Sequence, residues 1–317
     1  MGIAQYTTKF LFIMITDKEP PIFINKKYKN LSIVIINKND RGITETLSAL
    51  IKIDSPIPYE IIVIDASAGK LDDIKRKYSS VNWYDFKPLH YKKRTIPEQR
   101  NLGVEKSKGE IIVFIDANCV PTSHWLRNLV SPILISEEHI VAGGTVSKYK
   151  ATLHDRKAKR QVGNLYINEC ATINLAFSKD VYSIVGKFDE DLTGAEDLDF
   201  SWRAVDAGYR IRYIPEAKVT HDWGGTKDEI IRAYRYGATR VMVYKKHPNH
   251  LKKIFKEDFV VVIYPIYLLG LPITILFWPY PLLILIPILK NTNQRPLKTV
   301  GYNIVFAVGI LRELIRL

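Results

Sequence analysis

Cysteine is nearly absent: Cys119 and Cys170 are the only two in 317 residues. That excludes a disulfide-stapled scaffold and sets reducing surroundings as the expectation. No glycine-rich phosphate loop of the dinucleotide or P-loop kind follows any strand-like run, and there is no internal repeat or low-complexity segment. Acidic residues are missing from Arg240 to Lys256, where six basic ones stand (Arg240, Lys245, Lys246, Lys252, Lys253, Lys256) within a net charge of +13. Charge of either sign is missing from Phe259 to Leu289, "FVVVIYPIYLLGLPITILFWPYPLLILIPIL". What remains is long enough for one large domain or two ordinary ones with a sizeable core.

A basic run alone is a solvated face. Placed directly before an uncharged apolar stretch, it marks the cytoplasmic border of a membrane. A straight helix over Phe259–Leu289 would be about 45 Å long, more than the roughly 30 Å hydrocarbon core. Pro265, Pro272, Pro279, Pro281 and Pro287 interrupt it, with Trp278 and Tyr280 near the middle. The pattern predicts either a span ending near Trp278 with an interfacial piece after it, or a re-entrant hairpin; a buried core hairpin is the soluble alternative. Lys290, Arg295 and Lys298 in the following loop prefer the cytoplasmic side and so favour the hairpin. A second apolar segment, Val300–Leu311, is broken by Asn303 and meets Arg312 and Arg316. At the other end, "FLFIMI" (Phe10–Ile15) is too short for a signal-peptide core, and Tyr6 spoils a myristoylation pattern. Residues 1–30 are a leader without an assignable role.

From Leu31 onward, short apolar runs alternate with helical periodicity. Leu31–Ile36, Tyr59–Asp65 and Ile111–Ile115 read as buried strands; Thr44–Ile51, Leu71–Tyr78 and Ile96–Ser107 read as helices. Apolar strands separated by helices predict a parallel sheet covered on both faces. Ligands of such sheets sit outside the carboxyl ends of the strands. That rule selects Asn37–Arg41, Asp65–Ser67 and Asp116–Asn118, and all three are polar.

Three constellations could carry chemistry. Asp116 and Asn118 are two apart, so on an extended end they share a face. Oxygen ligands of this kind suit a hard divalent cation that bridges to phosphates, although Asp and Asn are also ordinary turn formers. In "LTGAEDLDFSWRAVDAGYRIRYIP" (Leu192–Pro215), Glu196, Asp197 and Asp199 open a helix that stops at Gly208. Carboxylates there suit the helix dipole, and equally a general base for a hydroxyl. His221, in "VTHDWGG" after a strand that begins at Ile211, is either structural or a ligand for manganese or another transition metal.

The order "SIVIINKND", "IIVIDAS", "EQRNLGVEKSKGEIIVFIDANCVP", "TINLAFSKDVYSIVGKFDEDLTGAEDLDFSWRAVDAGYRI", "VTH" resembles the inverting family 2 glycosyltransferases of the GT-A fold, over Leu31 to Tyr244. The resemblance implies an α/β, Rossmann-like nucleotide-sugar-binding domain at 31–239, a basic juxtamembrane segment at 240–258 and membrane-associated helices or a hairpin at 259–317. It also implies roles. Asp65 lies where the family recognises the base, with Asn37 at the neighbouring strand end, and Arg100 lies against the nucleotide. Asp116 and Asn118 take the Asp-x-Asp positions that hold the metal and diphosphate. Asn174 lines the sugar site, Glu196 precedes the catalytic base Asp197, and His221 stands near the metal or diphosphate. Ala66 and Asn118 replace acidic residues usual in the family, and Asn118 weakens the expected dependence on Mn2+ or Mg2+. The processive synthases' Gln-x-x-Arg-Trp signature is missing; "RAYRYG" (Arg232–Gly237) stands in that region, which points to single-sugar transfer.

The expected partners are a nucleotide-sugar donor, a lipid-linked or membrane-presented acceptor, and the membrane itself, with the catalytic domain cytoplasmic. Lys93 and Arg94 are the reserve charge neutralisers should no metal bind. Two other readings stand beside this one: polyprenyl phosphate as the acceptor, and an inactive membrane-anchored binding subunit. Nucleic acid is not expected, because the basic excess lies beside the apolar tail without interleaved aromatic platforms.

Overall fold

The computed structural model describes residues 10–12, 23–25, 27–87, 95–135, 138–148, 163–290 and 295–316. Lys93 and Arg94 lie outside them. The chain divides into two compact units. One comprises the residues up to Glu190 together with Glu196–Asp222, and the other Asp191–Ala195 together with the residues from Trp223 onward.

The first unit carries a short hairpin, β1 (Phe10–Phe12) with β2 (Phe23–Asn25), and a nine-stranded sheet. β3 (Leu31–Asn37), α1 (Ile43–Leu50), β4 (Tyr59–Asp65), α2 (Asp72–Lys77), β5 (Asn82–Asp85), α3 (Ile96–Lys106) and β6 (Ile111–Ile115) come first. After them run β7 (Cys119–Pro121), α4 (Trp125–Leu134), β8 (Ile140–Ser147), β9 (Tyr166–Ile167), β10 (Asn174–Ser178), α5 (Lys179–Val185), α6 (Glu196–Asp206) and β11 (Ile211–His221). The sheet order is β5-β4-β3-β6-β10-β8-β11-β7, with β9 on β11. β6 and β10 are buried at every residue, which requires cover on both faces.

The expected parallel pairing runs from β5 to β6, where helices carry the chain back between strands, and recurs only between β8 and β11. At β10 the direction reverses: it runs antiparallel to both β6 and β8, so the sheet is mixed. Between β9 and β10 the chain passes through the non-helical segment 168–173. β6 turns Ile112 and Phe114 towards a cluster with Phe177, Phe188 and Phe200, in which Phe188 meets Phe114 edge-on at 5.7 Å and Phe200 at 4.7 Å. Aromatic pairs of this geometry add to simple burial.

The second unit is helical: α7 (Thr226–Lys246), α8 (Lys252–Lys256), α9 (Val260–Leu269), α10 (Leu285–Lys290) and α11 (Pro296–Arg316). α7 is continuous through residues 239 and 240. α7 and α11 cross closely, since a Cβ at Gly237 would land on the Phe306 carbonyl. An ion pair between Lys298 and the buried Glu229 ties the same two helices. Among the described residues no helix is long and apolar enough to cross a membrane, which corrects the expectation of a transmembrane span. The reason is proline. α9 stops at Gly270, and two short 3-10 turns, Leu271–Ile275 and Tyr280–Ile284, each start with a proline in their first two positions.

Within the first unit, Gly103 lets α3 lie directly on β3, because a Cβ there would strike the Val34 side chain. Val34 is buried and β-branched, so it cannot swing away. Gly103→Ala is expected to destabilise the protein by about 1–3 kcal/mol in urea titrations, the range for overpacking. The pair Gly103→Ala with Val34→Ala should recover part of that loss.

Candidate active site

The three polar strand ends meet and are laced together. At the first, Asn37 donates its amide to the Asp40 carbonyl at 3.1 Å and accepts from the Asp40 N–H at 3.2 Å, closing a turn in which Asn39 has φ +60°. The Asn39 N–H then donates to Ser67 Oγ at the second end, at 2.7 Å. The third end is held by Thr46 of α1, whose hydroxyl donates to the Ala117 carbonyl at 2.7 Å. Gly42 packs against Asn118. The loop after β3 is therefore the common neighbour of the other two.

Asp65 lies at the end of β4 with no exposed side-chain surface, and its carboxylate pairs with Lys75 of α2 at 2.9 Å. Burial pulls the Lys75 ammonium down, but Asp85 and Asp65 outweigh it and hold its pKa above the ordinary value. Sequence reasoning missed Lys75, since nothing in the spacing marks it as the partner of Asp65. Asn174 opens β10 opposite Ile115, at the rim that carries Asp116, and is buried there. Its amide donates to the carbonyls of Gly144 and Ala217 at 2.8 Å each and accepts from Trp125 Nε1 at 2.8 Å. With 1% exposure and those bonds made, Asn174 ties β10 to its neighbours. Just before it, Thr172 buries its hydroxyl without an internal hydrogen-bond partner; the quoted "TINLAF" contains it, but only the three-dimensional placement separates it from Asn174.

Arg100 is the centre of the site. It projects from α3, is buried, and pairs with Glu196 at the start of α6. Burial would lower its pKa, yet the carboxylates of Glu196, Asp116 and Asp197 together hold it above its already high ordinary value. One guanidinium thus gathers the end of β6 and the start of α6 into a single electrostatic neighbourhood. The next residue, Asn101, steadies α3: its side chain bonds the Phe188 backbone at both N–H and carbonyl, 2.9 Å each.

The three carboxylates of α6 separate into different roles. Glu196 belongs to Arg100. Asp199 has no exposed side-chain surface and receives both Nε and Nη2 of Arg203, at 2.9 and 2.8 Å. Asp197 is the member of the trio that reaches solvent. Its N-terminal neighbour Ala195 has φ +61°, a conformation that costs a non-glycine residue energy and is met with at functional sites.

At the far side of the same edge, His221 ends β11 opposite Cys119 of β7 and is buried. Asn118 donates its amide to the carbonyl of Asp222 at 3.2 Å. An ionised aspartate could not make that bond, since a carboxylate would face the carbonyl with like partial charge. Asp116 and Asn118 are both partly exposed. Burial, and then Asp116, push the Cys119 thiol well above its ordinary pKa, so it stays protonated behind them.

Residues 32–189 match the family model described as Glycosyl transferase family 2. This chain carries a family 2 glycosyltransferase domain. The glycosyltransferase is 25% identical over 266 residues to glycosyltransferase AglE of Haloferax volcanii, a match covering 80% of this chain and 82% of that one. It is 27% identical over 184 residues to the pre-mycofactocin glycosyltransferase of Mycobacterium tuberculosis, covering 52% of this chain and 38% of that one. Its fold is similar to that of the mannosyltransferase PcManGT from Pyrobaculum calidifontis, solved with GDP-Man and Mn2+: the TM-score is 0.68 at 15% identity, over 94% and 91% of the two chains. Staphylococcus aureus TarS 1–349 aligns with a TM-score of 0.51 at 15% identity, over 90% and 91%. The mixed sheet is therefore GT-A-like, and the enzyme transfers a sugar from a nucleotide-sugar donor.

The residues at the β6 edge fit a divalent cation. Asp116 offers a carboxylate, Asn118 an amide oxygen whose NH2 is already committed to Asp222, and His221 an imidazole. Hard oxygen donors with one nitrogen suit Mn2+ or Mg2+, and so thin a protein set leaves positions for phosphate oxygens.

Arg100→Met should cost about 3–5 kcal/mol of unfolding free energy, because Glu196 is left buried and uncompensated. Adding Glu196→Leu should return most of that stability in the same urea titration while sugar transfer stays lost.

Proposed function

We propose that the glycosyltransferase performs an inverting transfer of a single sugar from a nucleotide-sugar donor to a hydroxyl of a lipid-linked saccharide presented at the cytoplasmic membrane face. The observation that carries the chemistry is the gathering of Asp116 and Asp197 around the buried Arg100–Glu196 pair. A base for the incoming hydroxyl and the groups for the departing diphosphate are then neighbours, as a displacement at one carbon requires.

The acceptor oxygen bonds to the anomeric carbon as the bond from that carbon to the diphosphate oxygen breaks, and the hydroxyl proton passes to the Asp197 carboxylate. The nucleoside diphosphate leaves on the opposite face. Asp197 suits the task because it is the carboxylate of its trio that reaches solvent, whereas Glu196 and Asp199 are buried. Asp116, Asn118 and His221 would hold a divalent cation, which when bound supplies positive charge to the diphosphate. Arg100 acts less as a nucleotide ligand than as the post that fixes Glu196, and through it the start of α6 that carries Asp197. The absence of the processive signature supports one transfer per acceptor. The exposed apolar side chains between Ile263 and Leu289 support an acceptor held at a membrane.

Asp197→Asn is expected to lower transfer by about 10²–10⁴, the usual worth of a general base, while calorimetric binding of the nucleoside diphosphate persists. Near-normal release of nucleoside diphosphate by this variant would move the role to Glu196 or Asp199. Chelation by EDTA should suppress transfer, and His221→Ala should raise the Mn2+ needed for half-maximal binding of the donor by about ten-fold or more, the scale seen when a metal site loses support.

A further inference from the structure

The second unit contains a surface that sugar transfer does not use. From Tyr267 to Pro281 the chain doubles back on itself. The rings of Tyr267 and Tyr280 stack at 5.7 Å, the Tyr267 hydroxyl donates to the Pro281 carbonyl at 3.1 Å, and the Tyr280 hydroxyl donates to the Tyr267 carbonyl at 3.2 Å. These bonds satisfy polar groups inside the fold-back and close a hairpin whose bend lies between Gly270 and Pro279. Below the bend, Tyr264, Leu268, Ile284 and Ile288 pack on Val300, Ile304 and Ala307 of α11. At the bend the apolar side chains are turned outward: Ile275 is 88% exposed, Leu276 91% and Trp278 74%. An apolar tip on a rigid, internally bonded base would be costly to leave in water.

Length and charge select the occupant. α9 has ten residues, about 15 Å of helix, which is half of a hydrocarbon core of about 30 Å. A helix of that length enters one leaflet and does not by itself reach the other side. Its two borders carry a net positive charge: Lys252 and Lys256 stand exposed before it, with Lys253 beside them, Glu257 exposed and Asp258 paired to Arg240, and Arg295 stands exposed after it, with Lys290 also in the sequence there. A fold-back brings both borders to the same side, where anionic headgroups would meet them. A second copy of the chain would bring the same basic borders against each other.

Resting on the reading that the acceptor is membrane-presented, we propose that residues 259–290 form a one-leaflet wedge. Ile275, Leu276 and Trp278 enter the acyl region, and Lys252, Lys256 and Arg295 lie on anionic headgroups. The protein is held on one face of the bilayer without crossing it.

The test is sedimentation of the purified full chain with vesicles of phosphatidylcholine alone, or with about one-third phosphatidylglycerol. Wild type should sediment with the anionic vesicles and far less with the neutral ones, and the difference should shrink in about 0.5 M salt. Leu276→Asp together with Ile275→Asp should lower partitioning more than about ten-fold. Lys252→Gln with Lys256→Gln should remove only the anionic preference. Lipid brominated within one leaflet should quench the fluorescence that Trp278→Phe removes. Trypsin sealed inside the vesicles should leave bound chain uncut at Lys290 and Arg295.

Cleavage from inside overturns the one-leaflet placement. So does binding unaffected by the tip substitutions, or a dimer in solution that those substitutions dissociate. Release of nucleoside diphosphate with a water-soluble acceptor analogue is followed in the same samples, and the tip variant should retain it. Sedimentation without any release would sink the sugar-transfer reading and leave the wedge; release without sedimentation would do the reverse.

Discussion

Burying a guanidinium is affordable only where carboxylates surround it, and the Arg100–Glu196 pair imposes that condition on the whole site. Arg100 comes from a helix packed on β3, and Glu196 from the first turn of a helix nearly a hundred residues later. For the pair to form, α3 must lie flat on the sheet, which Gly103 permits, and the loop before α6 must return to the carboxyl edge. Asn101 secures the second requirement by binding the Phe188 backbone. The pair therefore couples the correctness of the fold to the placement of the reacting groups. A packing error in α3 would be felt as a misplaced Asp197.

The parts of this organisation that could be read from residues alone are those written locally. "LSIVII", "YEIIVID" and "EIIVFI" are continuous apolar runs ending in polar residues, and each is a strand whose end borders the site. The ordered blocks of family-like residues carried the activity class as well. What was illegible depends on partners far away in sequence. Glu196, Asp197 and Asp199 look equivalent along the chain; Arg100 and Arg203 make them different. Asn174 reads as a polar residue facing a ligand, yet two carbonyls and an indole claim its amide. The direction of β10 was equally hidden, because an apolar run carries no sign of which way it is threaded. In the tail, the prolines were visible, but whether they bend a helix or end it is decided by what packs around them.

Asn118 illustrates how a departure from a pattern can have a local cause. In the proposed site its side chain answers to two neighbours at once: a cation that wants an oxygen, and the Asp222 carbonyl, which takes its N–H. An aspartate serves the first and offends the second. An amide serves both with one less charge, and it joins the end of β6 to the end of β11, where His221 sits. The lost charge is thus exchanged for a bond that ties the ends of β6 and β11 together.

The reversal at β10 has a consequence for how the rim is built. Because Asn174 pairs with Ile115 in antiparallel register, the segment 171–173, by which the chain approaches β10, stands beside Asp116. This stretch of the rim is built from the beginning of a strand, while β3, β4 and β6 contribute strand endings, the first two followed by helices. The segment leading into β10 lies outside the helical connections of β3, β4 and β5. The rim is thereby divided into a part bound to the topology of the sheet and a part whose length the helix-connected strands do not set.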